Sequence, residues 1–383
     1  MTKVMLVLAL ALAVIGTGSA YAQEKEIRVG ALMATSGPAA FLGASEKNAF
    51  DMLVDQINAR GGMHGYKIKP FFYDTEGNST SAAQQFRRLA ETDKVHVVIG
   101  PSTTGESLVV KPIANELKVP TITMAGAEVV TVPPTRYVYK TPPTDRIVAE
   151  HMLGYFKRKG LASIAILSSA DGYGQAGAAT VKEVAVQFGI KIAAADEFGP
   201  RDSDMTPQIL KIRASGADAL VIWSVNPGPT IILRNAAAVG YNKPIFNSYG
   251  AASQALIEQS GAAAENSYVS SMRLLAPESL AASDPMREVV NRLASDYRTR
   301  FKAEAPTFAA HPYDALLLID KAVEKINGPI DREKLADAFQ SGIKFPGGNG
   351  MFIFTGTNHN GLGRESNSMV MLQVKGGKFV LAE

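Results

Sequence analysis

Residues 95–124 read VHVVIGPSTTGESLVVKPIANELKVPTITM and contain one complete unit of the fold. The apolar run Val95–Ile99 predicts a buried strand, Ser107–Leu117 a helix, and Thr121–Met124 a second short strand. Two strands separated by one helix are typical of a parallel βαβ unit, because parallel strands need a long crossover connection. This stretch therefore predicts an α/β protein.

The same alternation extends along the chain on both sides of this unit. Upstream, the strands Ile27–Met33 and Tyr66–Tyr73 alternate with the helices Glu46–Arg60 and Ser81–Thr92. The pattern restarts after residues 141–143 and alternates helix and strand in this order: Arg146–Lys159, Ser163–Ser168, Gly177–Phe188, Ile190–Glu197, Met205–Ser215, Ala219–Trp223, Thr230–Val239 and Pro244–Asn247. Such alternation predicts two Rossmann-like units, each a parallel sheet flanked by helices with right-handed crossovers.

The C-terminal part contains too few strands for a third α/β domain. After the strand Val269–Met272, the segments Pro285–Ala303 and Tyr313–Lys325 have helical patterns, and only Met351–Phe354 and Ser368–Val374 resemble strands. We therefore expect this part to return to the first two units, its helices to one and its last strand to the other.

The chain would then form two lobes that it crosses between several times. We predict that residues 23–143 and 273–365 form the first lobe, and that residues 144–272 and 366–383 form the second. A cleft between lobes joined by several crossing segments is a common place for a ligand.

The N-terminus predicts an export signal over residues 1–22. Lys3 precedes the apolar run Val4–Ile15, and small residues lead to Ala20-Tyr21-Ala22. Twelve apolar residues rise only about 18 Å as a helix, which is too short to cross a bilayer. We predict cleavage after Ala22 and an exported protein; the alternative is an uncleaved membrane anchor.

Composition and charge argue against several classes of function. The 383 residues carry a formal net charge of +3, which is too small and too dispersed for a nucleic-acid partner. The absence of cysteine removes thiol nucleophiles and thiolate metal sites. The five histidines have no pair at a spacing of three or four residues, so we expect no metal site and no enzyme activity.

Residues 172–177 (GYGQAG) match the G-x-G-x-x-G pattern of dinucleotide-binding turns. Asp196 and Glu197 even lie about 20 residues further on, where such sites carry an acidic residue. However, residues 169–171 lengthen a turn that the dinucleotide fold keeps tight. We therefore expect no cofactor. We expect these glycines to serve a turn that presents Tyr173.

Residues 100–105 (GPSTTG) place three hydroxyl side chains at the start of a predicted helix. Hydroxyls and free backbone N–H groups at a helix N-terminus favour an anion such as a carboxylate. The alternative is that Ser102 and Thr104 only cap the helix.

Several of these segments together resemble the type I periplasmic binding proteins that serve branched-chain amino acid ABC transporters. The resemblance rests on Ile27–Met33 with the following Ser36-Gly37-Pro38 and Gly43, on residues 55–62 (DQINARGG), on Tyr73-Asp74, on residues 98–101 (VIGP) and on Tyr173-Gly174. It implies a bilobal periplasmic receptor with three inter-lobe crossovers, which closes over a small ligand and delivers it to an inner-membrane permease. A monomer is expected.

The resemblance also implies which residues touch the ligand. Members of this family hold the ligand carboxylate at the loop that matches Ser102–Thr104. In amino-acid binders a threonine stands at the place of Ala127, and an acidic residue that neutralises the ligand ammonium stands at the place of Tyr249. The candidate contacts are Phe41, Ser102, Thr103, Thr104, Ala125, Gly126, Ala127, Tyr173, Asn226 and Tyr249.

The departure at Tyr249 predicts a ligand that has a carboxylate and lacks an amine, because a buried ammonium without its partner is costly. Aromatic acids or 2-keto acids fit best. Glu128 could supply the missing charge, so branched-chain amino acids stay an alternative. A secreted ligand-sensing receptor domain is a further alternative; transport is preferred because no transmembrane or DNA-binding segment is recognisable after residue 22.

Overall fold

The computed structural model describes residues 25–225, 227–363 and 368–382. The predicted export signal lies outside these residues. Among them, no helix combines the length and the apolar character that crossing a bilayer requires.

The first sheet is parallel and is formed by the N-terminal third of the described chain. Its strands are β1 (Glu26–Met33), β2 (Lys67–Asp74), β3 (Val97–Ile99), β4 (Thr121–Thr123) and β5 (Val138–Lys140), in the order β2-β1-β3-β4-β5. The helices between them are α1 (Ala40–Ala59), α2 (Ser79–Glu91) and α3 (Thr104–Glu116). We call the body around this sheet the first lobe.

The second lobe repeats this plan. Its helices are α4 (Asp145–Lys159), α5 (Gly172–Phe188), α6 (Thr206–Ala214), α7 (Gly228–Ala238) and α8 (Gln254–Ser260). Its parallel strands are β6 (Ser163–Ser169), β7 (Lys191–Phe198), β8 (Ala219–Trp223), β9 (Ile245–Asn247) and β10 (Tyr268–Met272). The central strands are apolar because helices cover the sheet; all five residues of β8, for example, are buried.

The C-terminal elements are divided between the two lobes. They are α9 (Arg287–Phe301), α10 (Ala310–Lys325), α11 (Arg332–Phe339), β11 (Ser341–Pro346), β12 (Met351–Thr355), β13 (Met369–Lys375) and β14 (Lys378–Leu381). Helices α9 and α10 pack against α1 in the first lobe. Strand β13 pairs antiparallel with β10, which extends the second sheet to the order β14-β13-β10-β9-β8-β6-β7.

The predicted fold class, two α/β lobes with parallel sheets flanked by helices, is confirmed. The chain passes between the sheets after β5, after β10, and between β12 and β13. The lobe boundaries proposed from the sequence stay a prediction, and the one at residues 365 and 366 lies outside the described residues.

Several helices begin earlier than the sequence predicted, and two of them, α3 and α5, begin where the lobes face each other. Helix α5 begins at Gly172, because Oδ1 of Asp171 accepts the backbone N–H groups of Tyr173 and Gly174 at 3.0 and 2.8 Å. Helix α3 begins at Thr104, capped by Thr103. The glycine-rich and hydroxyl-rich segments thus contain first helical turns.

Candidate functional site

A cavity of about 400 Å³ lies between the lobes, where strands of both sheets end. This is the expected position for a ligand in α/β folds, because loops that follow the carboxyl ends of parallel strands converge there. Six of the predicted contact residues line it: Ser102, Thr103, Thr104, Gly126, Tyr173 and Tyr249.

Three other predicted contacts, Phe41, Ala125 and Ala127, are not part of the cavity lining. Ala125 and Ala127 are buried in the hydrophobic core of the first lobe. Phe41 packs edge-on against Phe308, with ring centroids 5.6 Å apart, and it is Phe308 that lines the cavity. Asn226 lies outside the described residues.

Four helices begin at the cavity. Its lining includes Ala39, Thr104, Gly172 and Gly228, which lie at the N-terminal ends of α1, α3, α5 and α7. Each helix N-terminus carries a partial positive charge and backbone N–H groups without helical acceptors. Their convergence produces a potential that favours an anionic group.

The three hydroxyl residues of the loop before α3 have different roles. Thr103 is the helix cap: its Oγ1 accepts the N–H of Glu106 at 3.3 Å and donates to Oε2 of Glu106 at 2.6 Å. Thr104 is only 2% exposed, and its Oγ1 has no hydrogen-bond partner. An unpaired buried hydroxyl is costly, so Thr104 is the residue of this loop with an unused hydrogen-bonding group.

Ser102 is engaged by groups behind the cavity wall. Its Oγ accepts the N–H of Ala34 at 3.1 Å and donates to Oε2 of Glu46, which is 0% exposed. Glu46 lies on α1 among the buried residues Leu42, Ala49 and Phe50. A carboxylate on an apolar helix face was the sequence signal that could have identified this group, and our sequence analysis missed it.

The hydrogen bonds continue from Glu46 into the second lobe. Oε1 of Glu46 lies 3.2 Å from Nδ1 of His311 on α10, and Nε2 of His311 lies 2.8 Å from the hydroxyl of Tyr249. That hydroxyl also lies 3.3 Å from Oδ1 of Asn349. We call the chain Ser102–Glu46–His311–Tyr249 the cleft relay.

The lobes touch at the cavity. Tyr173, in the first turn of α5, lies so close to Gly126 that a Cβ atom there would be 2.8 Å from the tyrosine ring. The Tyr173 hydroxyl stays within its own lobe, where it accepts the N–H of Gly250 at 3.2 Å and donates to Ser248 at 3.4 Å. Burial raises the pKa of Tyr173 above its usual value, so the hydroxyl stays protonated.

Two acidic side chains bear on the predicted absence of an amine site. Glu128, the alternative partner for a ligand ammonium, is bound by Nε of Arg146 at 3.0 Å and is not part of the cavity lining. Asp171 does line the cavity, although its Oδ1 caps α5. The sequence analysis treated Asp171 only as a turn residue.

Two buried ionisable residues, Lys140 and Asp145, lie at the crossover between β5 and α4. Lys140 donates to the carbonyl oxygen of Gly126 and so holds the loop that faces Tyr173. Burial lowers the pKa of Lys140 and raises that of Asp145, while each charge opposes the shift of the other.

The glycines of the dinucleotide-like pattern are explained by close packing. A Cβ atom at Gly174 would lie 2.0 Å from the carbonyl oxygen of Ser169, and one at Gly177 would lie 1.8 Å from the indole nitrogen of Trp223. Helix α5 can therefore lie directly on strands β6 and β8. Among the described residues, no cluster of three or more His, Asp or Glu side chains could hold a metal ion.

Residues 26–378 match the family model described as periplasmic binding protein. The chain belongs to the periplasmic binding protein family. Its fold, its inter-lobe cavity and the resemblance seen in the sequence agree with this membership. The family consists of substrate-binding proteins and not enzymes, and this periplasmic binding protein is a solute-binding protein of the ABC-transporter type.

Individual members of the family show how far the similarity extends. The Leu/Ile/Val-binding protein BraC3 of Rhizobium johnstonii is 24% identical over 363 residues, 94% of each chain. An extracellular ligand-binding receptor from Rhodopseudomonas palustris has 28% identity and a TM-score of 0.86, over 93% of this chain and 99% of that one. LivJ of Streptococcus pneumoniae, solved with isoleucine, has 24% identity and a TM-score of 0.82, over 94% and 99%; this likeness shows the fold.

Proposed function

We propose that this periplasmic binding protein captures a small carboxylate without an amine, an aromatic acid or a 2-keto acid, and delivers it to an ABC permease. The observation that carries the proposal is the unpartnered hydroxyl of Thr104, 2% exposed, at the N-terminus of α3. A carboxylate there would accept this hydrogen and would lie in the field of four helix N-termini.

The rest of the cavity favours a flat apolar body. Its walls include the rings of Phe198, Phe308, Tyr173 and Tyr249 and the side chain of Met124. Aromatic rings contribute large contact areas and prefer edge-to-face or offset stacking, which suits an aromatic ligand. A volume of about 400 Å³ lies in the range of small-molecule sites.

The argument against an ammonium group rests on the positions of the acidic side chains. Tyr249 replaces the acidic residue expected in amino-acid binders, and Glu128 is bound to Arg146. An ammonium without a carboxylate partner would lose a charged hydrogen bond of about 1.5–3 kcal/mol, roughly 10- to 150-fold in affinity.

Branched-chain amino acids are the second candidate ligand class. Curated relatives are named as Leu/Ile/Val-binding proteins, and Asp171 places one carboxylate in the cavity lining. On the other side, a Rhodopseudomonas palustris protein with this fold, 20% identical, was solved with 3,4-dihydroxybenzoic acid. The charge distribution of the cavity makes the aromatic acid our first choice.

We propose that the carboxylate docks first on Thr104 in the open first lobe. The second lobe then closes, and Tyr173 and Tyr249 cover the apolar body and exclude water. We expect contacts between the lobes, such as the one between Tyr249 and His311, to favour the closed form.

Titration calorimetry of the mature protein with leucine, 2-phenylglycine, phenylpyruvate and benzoylformate tests the ligand class. Phenylglycine and benzoylformate differ only in an amine against a keto group. We expect heat from the two aromatic keto acids and none from the two amino acids. Micromolar leucine binding without heat from the aromatic acids would overturn the proposal.

We further propose that the mature protein begins after Ala22, is periplasmic and acts as a monomer. Intact-mass measurement of the secreted protein tests the cleavage position, and light scattering tests the monomer. A mass that retains residues 1–22 would contradict cleavage at this site.

A further inference from the structure

The cleft relay fixes the direction in which two cavity-lining hydroxyl groups point their hydrogens. Glu46 is buried behind Ser102, and its Oε2 is the acceptor for the Ser102 hydroxyl. The Ser102 hydroxyl hydrogen is therefore directed to Oε2 of Glu46 and away from the cavity. With the N–H of Ala34 on one lone pair, Ser102 has one lone pair left, and it can only accept.

Glu46 is also connected to Tyr249 through His311. Oε1 of Glu46 lies 3.2 Å from Nδ1 of His311, and Nε2 of His311 lies 2.8 Å from the hydroxyl of Tyr249. The hydroxyl of Tyr249 has one hydrogen and lies near two buried groups, Nε2 of His311 and Oδ1 of Asn349, the latter at 3.3 Å. Neither Ser102 nor Tyr249 therefore has a hydroxyl hydrogen left for a ligand, although their oxygens can still accept.

Thr104 has the opposite character. Its hydroxyl is unpartnered and free to donate, and it lies at the positive end of α3. Ser102 and Thr104 are two residues apart and both line the cavity. A group that can only accept and a group that can donate therefore lie two residues apart on one loop of the cavity wall, and a ligand that meets both needs a donor for Ser102 and an acceptor for Thr104.

We infer that Glu46 is a specificity-determining residue, because it makes this site select a carboxylate flanked by a hydrogen-bond donor. Such a ligand is a 2-hydroxy acid, which the site should prefer to its 2-keto analogue. The inference rests on the proposed function and narrows its ligand class. A hydroxyl beside the carboxylate donates to Ser102. A keto oxygen at the same place would face a lone pair of Ser102, so that neither the keto oxygen nor the Ser102 oxygen would receive a hydrogen bond.

Two matched pairs of acids test this on the unaltered protein. Mandelate and benzoylformate differ only in hydroxyl against keto, and so do 3-phenyllactate and phenylpyruvate. We expect the better enantiomer of each hydroxy acid to bind about tenfold or more tightly than its keto partner in calorimetry. Equal or tighter binding of the keto acids overturns the inference and leaves the proposed function standing; leucine binding with no binding of any of the four acids overturns the proposed function itself.

The variant Ser102→Ala then shows whether the preference comes from this oxygen. We expect the hydroxy-to-keto ratio to fall to within about threefold, with the keto affinity nearly unchanged. Thr104→Val is the matched control, since it removes the carboxylate contact and should weaken both acids by similar factors. A ratio that Ser102→Ala leaves intact would contradict the inference. Circular dichroism checks that each variant is folded. If Ser102→Ala does not fold, the two matched pairs of acids on the unaltered protein test the inference.

Discussion

The hydroxyl oxygen of Tyr249 lies 2.8 Å from Nε2 of His311, and this hydrogen bond joins the second lobe to the first. Tyr249 follows β9 of the second sheet, whereas His311 belongs to α10, which packs against α1. Both residues are buried, with 4% and 2% of their surface exposed. Because the two groups belong to different lobes, we expect the bond to favour closure of the cleft.

Tyr249→Phe should therefore weaken ligand binding by loosening the closed form. Loss of one neutral hydrogen bond predicts a dissociation constant about threefold to tenfold higher, mainly through faster dissociation. Stopped-flow fluorescence with the best ligand measures this rate. Tyr173→Phe is the matched control, since the Tyr173 hydroxyl bonds only within the second lobe. An equal effect of both variants would argue against a special role for the inter-lobe bond.

Thr104→Val and Thr103→Val should separate binding from stability. At Thr104 the lost hydroxyl has no partner, so we expect an unchanged or higher melting temperature and an affinity reduced about tenfold or more. At Thr103 the capping box is lost, so we expect about 0.5–2 kcal/mol less stability and nearly unchanged affinity. Denaturant titration and calorimetry measure both properties. Unchanged affinity in Thr104→Val would show that the anion binds elsewhere.

Gly126→Ala should hinder closure of the lobes. The added Cβ would lie 2.8 Å from the ring of Tyr173, which is too close for any packed contact. We expect at least about tenfold weaker binding and, in small-angle scattering with saturating ligand, a larger radius of gyration than for the unaltered protein. Gly154→Ala in α4 is the control, because its Cβ would have ordinary contacts of 3.6 and 3.7 Å. Full compaction of Gly126→Ala would refute the steric argument.

Asp314 should make the stability of the protein depend on pH. Burial raises the pKa of Asp314 to about 8, although the N–H groups of Gly348 and Asn349 donate to it at 2.6 and 3.0 Å. Between about pH 4 and about pH 8 the folded chain keeps a proton that the unfolded chain has released. The contribution of this group to the free energy of unfolding is thus full below about pH 4 and falls as the pH rises through 8.

Asp314→Asn removes this titration. The stability of the unaltered protein relative to the variant should decline by more than about 1 kcal/mol between roughly pH 5 and 7.5, measured by denaturant unfolding. The control is Asp55→Asn on α1, whose side chain is 63% exposed and is paired with Arg300. A pH-independent difference for Asp314→Asn would contradict the assignment.

Much of the fold could be predicted from the sequence, because long apolar strands and amphipathic helices leave periodic patterns. Strand β8 was predicted with its exact bounds, Ala219–Trp223. Some short elements were missed, among them β5 (Val138–Lys140) and α11 (Arg332–Phe339), although β4, which also has three residues, was predicted. Segments of this length contain too few residues for a period to stand out.

The sequence by itself determined the two-lobed α/β plan and the loop containing Ser102 and Thr104, since both depend on patterns local to the chain. Only the tertiary structure decided that Thr103 is a cap, that Thr104 is unpaired, and that Glu46 accepts from Ser102 and lies beside His311. Glu46 and His311 are 265 residues apart. No local pattern records such a contact, because packing in three dimensions alone decides which buried polar groups meet.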